Sequence, residues 1–252
     1  MSTNAADARE MMRLAHEAGI ILMISDHTRF GATAVTLENK LKGGLIGEIQ
    51  NLHISNSFSA SKVLSPYYWG YFLDPARHGG GAIMDQAGYG INWAVCLLGR
   101  PQSVFALGRQ LNRDPKVKME DHGWVLLQYA GAAAIIEGGW YAKPDFGLTG
   151  RGEMWVSGPL GRITRTNQNL SLEAAIPTEN SKAVSQILPI AIEPVQPEMA
   201  DGINHFLYSV RFGKPIAQPH TPATQFMVQE IIDAAYESIR SGRAVALGTK
   251  NP

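Results

Sequence analysis

The residues best able to do chemistry lie in one stretch, Asp74-Pro75-Ala76-Arg77-His78-Gly79-Gly80-Gly81, running on to Asp85, Tyr89 and Asn92. Three glycines before a helix let the backbone approach a ligand and leave free N–H groups at the helix start. Asp85 and Tyr89 are four apart and Asn92 lies three further on, so a helix presents all three on one face. Such a face can hold an acid/base group, a carboxylate that orients it and an amide for a hydroxyl. It can equally be a polar stripe turned to solvent, which is common on helices. Arg77 and His78 flank the glycines, where they can meet an anionic group or line the rim of a cleft.

Other candidates stand further off. His27 and Arg29 follow an apolar run, at the end where ligands of α/β sheets usually bind; Arg29 can also pair with a carboxylate between domains. Trp69 and Trp140 offer flat apolar walls for a sugar or ring, although core packing is the commoner use of tryptophan. Lys143, after Trp140 and Tyr141, can bring a cation towards Tyr89, against the commoner fate of a solvated loop lysine.

Several classes of function are excluded. Lys plus Arg total 22 and Asp plus Glu total 22, so no net charge draws the chain to nucleic acid or to an anionic membrane. The single cysteine, Cys96, rules out an intrachain disulfide and a four-cysteine zinc site. No histidines or carboxylates show zinc-like spacing, and no Gly-x-Ser-x-Gly elbow is present. The N-terminus has neither the basic flank nor the apolar core of a signal peptide, and no apolar run approaches a membrane span. A cytoplasmic protein is expected.

The elements that must position these residues change character along the chain. Asn4 caps a first helix with Met11, Leu14, Ala15 and Ala18 on one face, and Gly19 stops it. Ile20-Ile21-Leu22-Met23-Ile24 reads as a strand buried on both faces, the kind found in parallel sheets. No series of strand–helix repeats follows to supply its partners. A helix is expected over 32–42 and another from about Gly81 to Leu98. Strands are expected over 48–58, 103–110, 123–129, 133–140, 153–157, 162–166 and 187–192. The stretch 168–186, rich in Ser, Asn, Glu and Ala, reads as a mobile excursion. Two closing helices follow, one with Met199, Ile203, Phe206, Leu207 and Val210 at helical spacing, the other capped by Thr221-Pro222. The plan is α+β: an open, mostly antiparallel sheet with helices on one face. The opposite face needs a cover, and a second copy making a homo-oligomer is the simplest.

The Gly-Gly-Gly run, with an Asp and a Tyr four residues after it, resembles the core motif of the glucose–fructose oxidoreductase and inositol dehydrogenase (Gfo/Idh/MocA) family. Arg29-Phe30, Gly44-Leu45-Ile46-Gly47-Glu48-Ile49, Gly139-Trp140, Gly158-Pro159-Leu160-Gly161 and Ala234-Ala235-Tyr236-Glu237-Ser238 fall in the family's order. Tyr89, where many members have His, is similar to the glucose–fructose oxidoreductase and dihydrodiol dehydrogenase branches. Ala87 departs from the Gly often found two residues after the Asp.

The resemblance implies that residues 1–30 are the remnant of a dinucleotide-binding domain and 31–252 a substrate-binding and oligomerisation domain. It implies an NAD(P)-dependent oxidoreductase of sugars, cyclitols or dihydrodiols in which Asp85 and Tyr89 are catalytic. Asn92, Arg29, His27, Trp69, Arg77, His78, Trp140 and Lys143 would be available to a small-molecule substrate. In such enzymes the tyrosine exchanges a proton with a substrate hydroxyl while hydride moves to nicotinamide. A free phenol titrates near ~10, so a cation is needed beside it. The family takes that cation from a Glu-Lys-Pro lysine, a motif missing here. No complete dinucleotide fingerprint is present either, since Gly88-Tyr89-Gly90 and Gly150-Arg151-Gly152 lack the third glycine and the strand–helix setting. The chain alone is therefore expected not to bind NAD(P) and to be inactive as a dehydrogenase. The alternatives are a cofactor-independent lyase or isomerase using Tyr89 and Asp85, and a non-catalytic binding or oligomerisation domain.

Overall fold

The computed structural model describes residues 1–59, 69–141, 153–166, 169–176 and 184–248. Helix α1 (Ala5–Glu17) begins at Asn4, whose side chain accepts from the Asp7 N–H, and α2 spans Ala32–Lys42. Strand β1 (Asn51–Ser59) follows, then two short helices, α3 (Trp69–Phe72) and α4 (Pro75–His78). A π-helical turn, Ile83–Ala87, leads directly into α5 (Gly88–Leu98). Strands β2 (Ser103–Arg109), β3 (His122–Gln128), β4 (Ala133–Tyr141), β5 (Glu153–Gly158), β6 (Gly161–Thr166), β7 (Asn169–Ile176) and β8 (Val184–Ile190) come next. Helices α6 (Gly202–Phe212) and α7 (Pro222–Ser241) and the short β9 (Val245–Ala246) close the chain.

The strands form one sheet in the order β8-β7-β6-β5-β1-β4-β3-β2-β9. Every described pairing is antiparallel except β1 with β4. That parallel pair is reached through a long connection carrying α5, as a crossover requires. Alternation sets the two faces. Leu52, Ile54, Val104, Ala106, Val125, Leu127, Ala134 and Ile136 point to the helices and are almost wholly buried. Leu107, Leu126 and Ile135 lie on the other face and are more than 40% exposed, at 42%, 42% and 43%. The expected α+β plan is the one observed. Each fully buried Leu or Ile on the helix side contributes roughly 1.5–3 kcal/mol.

The π turn sits against the sheet because glycines admit it. A Cβ at Gly138 would fall 2.7 Å from both the Ala82 carbonyl and the Ala87 nitrogen, and one at Gly123 would lie 2.1 Å from Ile83. Gly90 plays the same part for α5, where a Cβ would approach Ile136 to 2.6 Å. β3, β4 and these glycines thus fix the height at which Asp85 and Tyr89 leave the helix.

Three expectations are corrected. Residues 20–24 form no strand: Ile20 and Ile21 are 63% and 47% exposed, and the Ile24 N–H goes to the His220 carbonyl. An apolar run becomes a strand only beside another strand edge, and no described strand lies next to it. The stretch read as an excursion contains β7, paired with β6 and β8. Its alternation is sparse because Leu170 alone of its residues with described side chains is buried. The apolar stripe of α6 does not cover the sheet. Ile203, Leu207 and Val210 are exposed, and His205 and Ser209 are the residues turned inward. Among the described residues no helix is long and apolar enough to cross a membrane.

Candidate active site

A cavity of about 360 Å³ lies between residues 1–3, the segment Ile24–Asp26, α3, the π turn and α7. His78, Asp85 and Tyr89 line it. His78 is placed by α4, which Asp74 caps through the Ala76 N–H, and which Gly79 ends at a φ of 88°. Its ring is buried among Phe72, Tyr71 and Trp140, and Nδ1 lies 2.6 Å from the Gly80 carbonyl. A carbonyl can only accept, so Nδ1 carries the hydrogen of this bond.

Asp85 Oδ2 accepts from Trp140 Nε1 at 2.7 Å and from Gln86 Nε2 at 2.8 Å. Among the described residues Oδ1 takes no hydrogen bond. Burial raises the Asp85 pKa above the usual carboxylate range, while the Gln86 and Trp140 bonds and the nearby His78 and His27 oppose that rise. Trp140 is thus a buried donor, 1% exposed, that orients Asp85 rather than a wall of the cavity. Tyr89 meets His27 edge-on, with ring centroids 4.8 Å apart. Its phenol is pushed up to about 12 by burial first, then by the charges of Asp85 and Asp26. At neutral pH it is a hydrogen-bond donor.

The remaining candidates are distributed elsewhere. Asn92 is 1% exposed and turns away from the cavity, donating to Asp26 Oδ2 at 2.7 Å and to the Pro219 carbonyl at 3.2 Å. Asp26 also accepts from the Thr28 N–H and hydroxyl, so the amide belongs to a closed network. Arg29 is buried too, paired with Glu38 at 2.8 Å and stacked 3.6 Å above the Trp93 ring. The pairing is with a carboxylate of α2. Arg77 is exposed and lies 3.5 Å from Asp74, outside the cavity lining. Trp69 opens α3, but its side chain lies outside the described residues, as does Lys143 altogether.

The glycine run does not leave the N–H groups of Gly79 and Gly81 to a ligand. The Gly81 and Ile83 N–H groups go to Glu120 Oε1 at 3.0 and 3.2 Å. Gly81 and Met84 also donate to the Tyr236 hydroxyl at 3.1 and 3.3 Å, and that hydroxyl donates to Glu120 Oε1 at 2.6 Å. A Cβ at Gly80 would lie 1.9 Å from Tyr236 Oη, and one at Gly81 1.9 Å from the Glu120 carbonyl. The glycines therefore serve close packing. Glu120 and Tyr236 escaped the sequence reading because Lys118-Met119-Glu120-Asp121 has no spacing signature; Tyr236 had appeared only inside a motif.

These facts bear on a dinucleotide. Its phosphates need unsatisfied backbone donors at a helix start. Here a protein carboxylate already occupies them, and no fingerprint follows a buried strand. The start of this helix does not fit a dinucleotide phosphate. The described residues also contain no group of three His, Cys, Asp or Glu side chains suited to a metal.

Comparison with known proteins decides the lineage. The GFO/IDH/MocA C-terminal domain matches residues 35–164, just over half of the chain. The chain belongs to the GFO/IDH/MocA family. Trans-1,2-dihydrobenzene-1,2-diol dehydrogenase of Mus musculus is 28% identical over 133 residues, which cover 52% of this chain and 37% of that enzyme. The chain thus matches little more than a third of the length of such curated relatives. The same fold is also seen in solved structures. Aldose-aldose oxidoreductase from Caulobacter crescentus, complexed with glycerol, superposes with a TM-score of 0.78 at 24% identity, covering 98% of this chain and 70% of that one. Levoglucosan dehydrogenase, in complex with NADH and levoglucosan, gives 0.76 at 18% identity, covering 97% and 70%. At these identities the likeness is one of fold.

Proposed function

We propose that this GFO/IDH/MocA chain is the substrate-side domain of an NAD(P)-dependent oxidoreductase of the tyrosine-type branch. Its substrate is a hydroxyl of a sugar, cyclitol or dihydrodiol. The observation that carries this reading is the convergence of Asp85, Tyr89 and His78 on one cavity with hydrogen-bonding atoms left over. Tyr89 Oη has no hydrogen-bond partner among the described residues, nor is it a sealed-off polar atom. A neutral phenol beside an open carboxylate oxygen suits a hydroxyl, which accepts from the phenol and donates to the carboxylate.

In this reading residues 1–30 belong to the nucleotide-binding half, and the chain by itself does not bind NAD(P). The chain by itself is inactive as a dehydrogenase. It works in the cytoplasm as a homo-oligomer closed through the sheet face that carries Leu107, Leu126 and Ile135. The test is a panel of sugars and diols, glycerol and levoglucosan included, followed by saturation-transfer NMR. At least one member should bind at millimolar concentration and lose about tenfold in affinity in Tyr89→Phe, the worth of one hydrogen bond. No binding by any member contradicts the reading.

The occupied helix start supports a second reading, a lyase or isomerase that needs no nucleotide. Turnover of a keto-sugar without added NAD(P), abolished in Tyr89→Phe, separates it from the first.

A further inference from the structure

The cavity has a second polar wall, on α7. Gln225 and Gln229 are one helical turn apart and both line it. Chemistry fixes the sense of their amides. Gln225 Nε2 lies 2.7 Å from the Pro219 carbonyl, and Gln229 Nε2 lies 3.1 Å from Asp233 Oδ1. Carbonyl and carboxylate oxygens only accept, so each NH2 end is committed to the protein and each amide oxygen is left over. Neither Oε1 has a hydrogen-bond partner among the described residues, and neither is a sealed-off polar atom. The two residues are only 7% and 1% exposed, so the space their oxygens reach is the cavity they line. Contacts tie this wall to the one that carries Tyr89. The Pro219 carbonyl that takes the Gln225 amide also takes Asn92 Nδ2, at 3.2 Å. Gly88 abuts Ile232, where a Cβ would lie 3.5 Å from Ile232 Cδ1. Tyr89 lies between these two points of contact on α5, as Gln229 does on α7.

We propose that Gln225 and Gln229 select the substrate, accepting through Oε1 from hydroxyls other than the one that reacts. The ligand is then a neutral polyhydroxylated ring, a sugar or cyclitol, in preference to a dihydrodiol or a sugar acid. This rests on the substrate-side reading above and narrows it; Tyr89 and Asp85 keep the reacting hydroxyl. The open groups decide the class. Asp85 Oδ1 and the two amide oxygens accept, and Tyr89 donates, so a ligand rich in O–H donors satisfies the set. A dihydrodiol has one hydroxyl besides the reacting one and leaves an amide oxygen desolvated and unpaired. A carboxylate or phosphate sets acceptors against acceptors. Among the described residues no lysine or arginine side chain lines the cavity to offset its charge, whereas Asp26 and Asp85 do line it.

The experiment titrates the full chain by saturation-transfer NMR with three probes. They are myo-inositol, with a hydroxyl on every ring carbon, trans-1,2-cyclohexanediol, with two on the same ring, and gluconate. Myo-inositol should bind at least about tenfold more tightly than the diol, and gluconate more weakly than myo-inositol. Gln225→Met and Gln229→Met keep the length of the side chain and lose its oxygen. Each should weaken myo-inositol about tenfold and leave the diol within about twofold. Tyr89→Phe should weaken both ligands alike, because both offer the reacting hydroxyl. A diol that binds wild type as well as myo-inositol overturns the assignment, and so does tighter binding of gluconate. An equal loss for both ligands in the methionine variants overturns it too, since the glutamines would then act through the fold alone. In each of these cases a ligand that still needs the Tyr89 hydroxyl leaves the substrate-side reading standing. Where a methionine variant does not fold, the wild-type series decides. If no probe binds, the assignment and the reading beneath it fall together.

Discussion

Two polar clusters flank the π turn, and their difference separates structure from function. On one side Glu120 Oε1 and the Tyr236 hydroxyl gather the N–H groups of Gly81, Ile83 and Met84 and bond each other. On the other side Asp85 Oδ1, Tyr89 Oη and His78 Nε2 find none among the described residues. Buried polar groups are costly unless satisfied, so the first cluster is what folding alone would produce. The second keeps open valences at the edge of a cavity, which is what a ligand needs. The backbone between them is shared: the Asp85 N–H bonds the Gly81 carbonyl at 3.1 Å, so the closed cluster sets the position of the open one.

Substitutions can break this contrast. The largest effect is expected for Gly81→Ala, whose Cβ would meet the Glu120 backbone carbonyl at 1.9 Å. Backbone cannot step aside as a side chain can, so a loss of about 3 kcal/mol or outright failure to fold is expected by chemical denaturation. Tyr236→Phe comes next. It strips an acceptor from Gly81 and Met84 and a donor from Glu120, and should cost about 1–3 kcal/mol in the same measurement. A smaller and pH-dependent effect is expected at His220, which stacks on Phe30 at 4.1 Å and accepts the Asp26 N–H at Nδ1. Burial first, then His205 and Arg29, lowers its pKa to about 4 from an ordinary 6.5. The fold therefore holds it neutral. Its contribution is complete above pH 6.5 and fades as the pH falls through about 4. Thermal melts across that window should show a slope that His220→Gln flattens; an unchanged slope contradicts the sign.

How much of this could be read in advance differs by level. The sheet was legible because β1 to β6 alternate cleanly over a buried face, α7 carries its own cap and stop, and α2 its stop at Gly43. Asp85 and Tyr89 were legible through their spacing, which survives the π turn. What escaped were partnerships. Ile20–Ile24 is apolar enough for a strand, but strand formation depends on a neighbour that a local pattern does not contain. The stripe of α6 has a true helical period, yet the period does not say which face meets the core. Asn92 shares the helical face of Tyr89 on paper and is instead drawn to Asp26, a carboxylate 66 residues away in sequence. The glycine run looked like a ligand cradle because nothing in its sequence announces Glu120 and Tyr236 as its occupants.

The central claim is that the open cluster serves a ligand and contributes little to the fold. It is tested most directly by comparing Tyr89→Phe with wild type in two measurements on the same samples. Removing a hydroxyl that bonds none of the described residues should change stability by less than about 0.5 kcal/mol. The same change should weaken glycerol or levoglucosan binding about tenfold. A destabilised protein that binds either polyol as well as wild type would contradict the account.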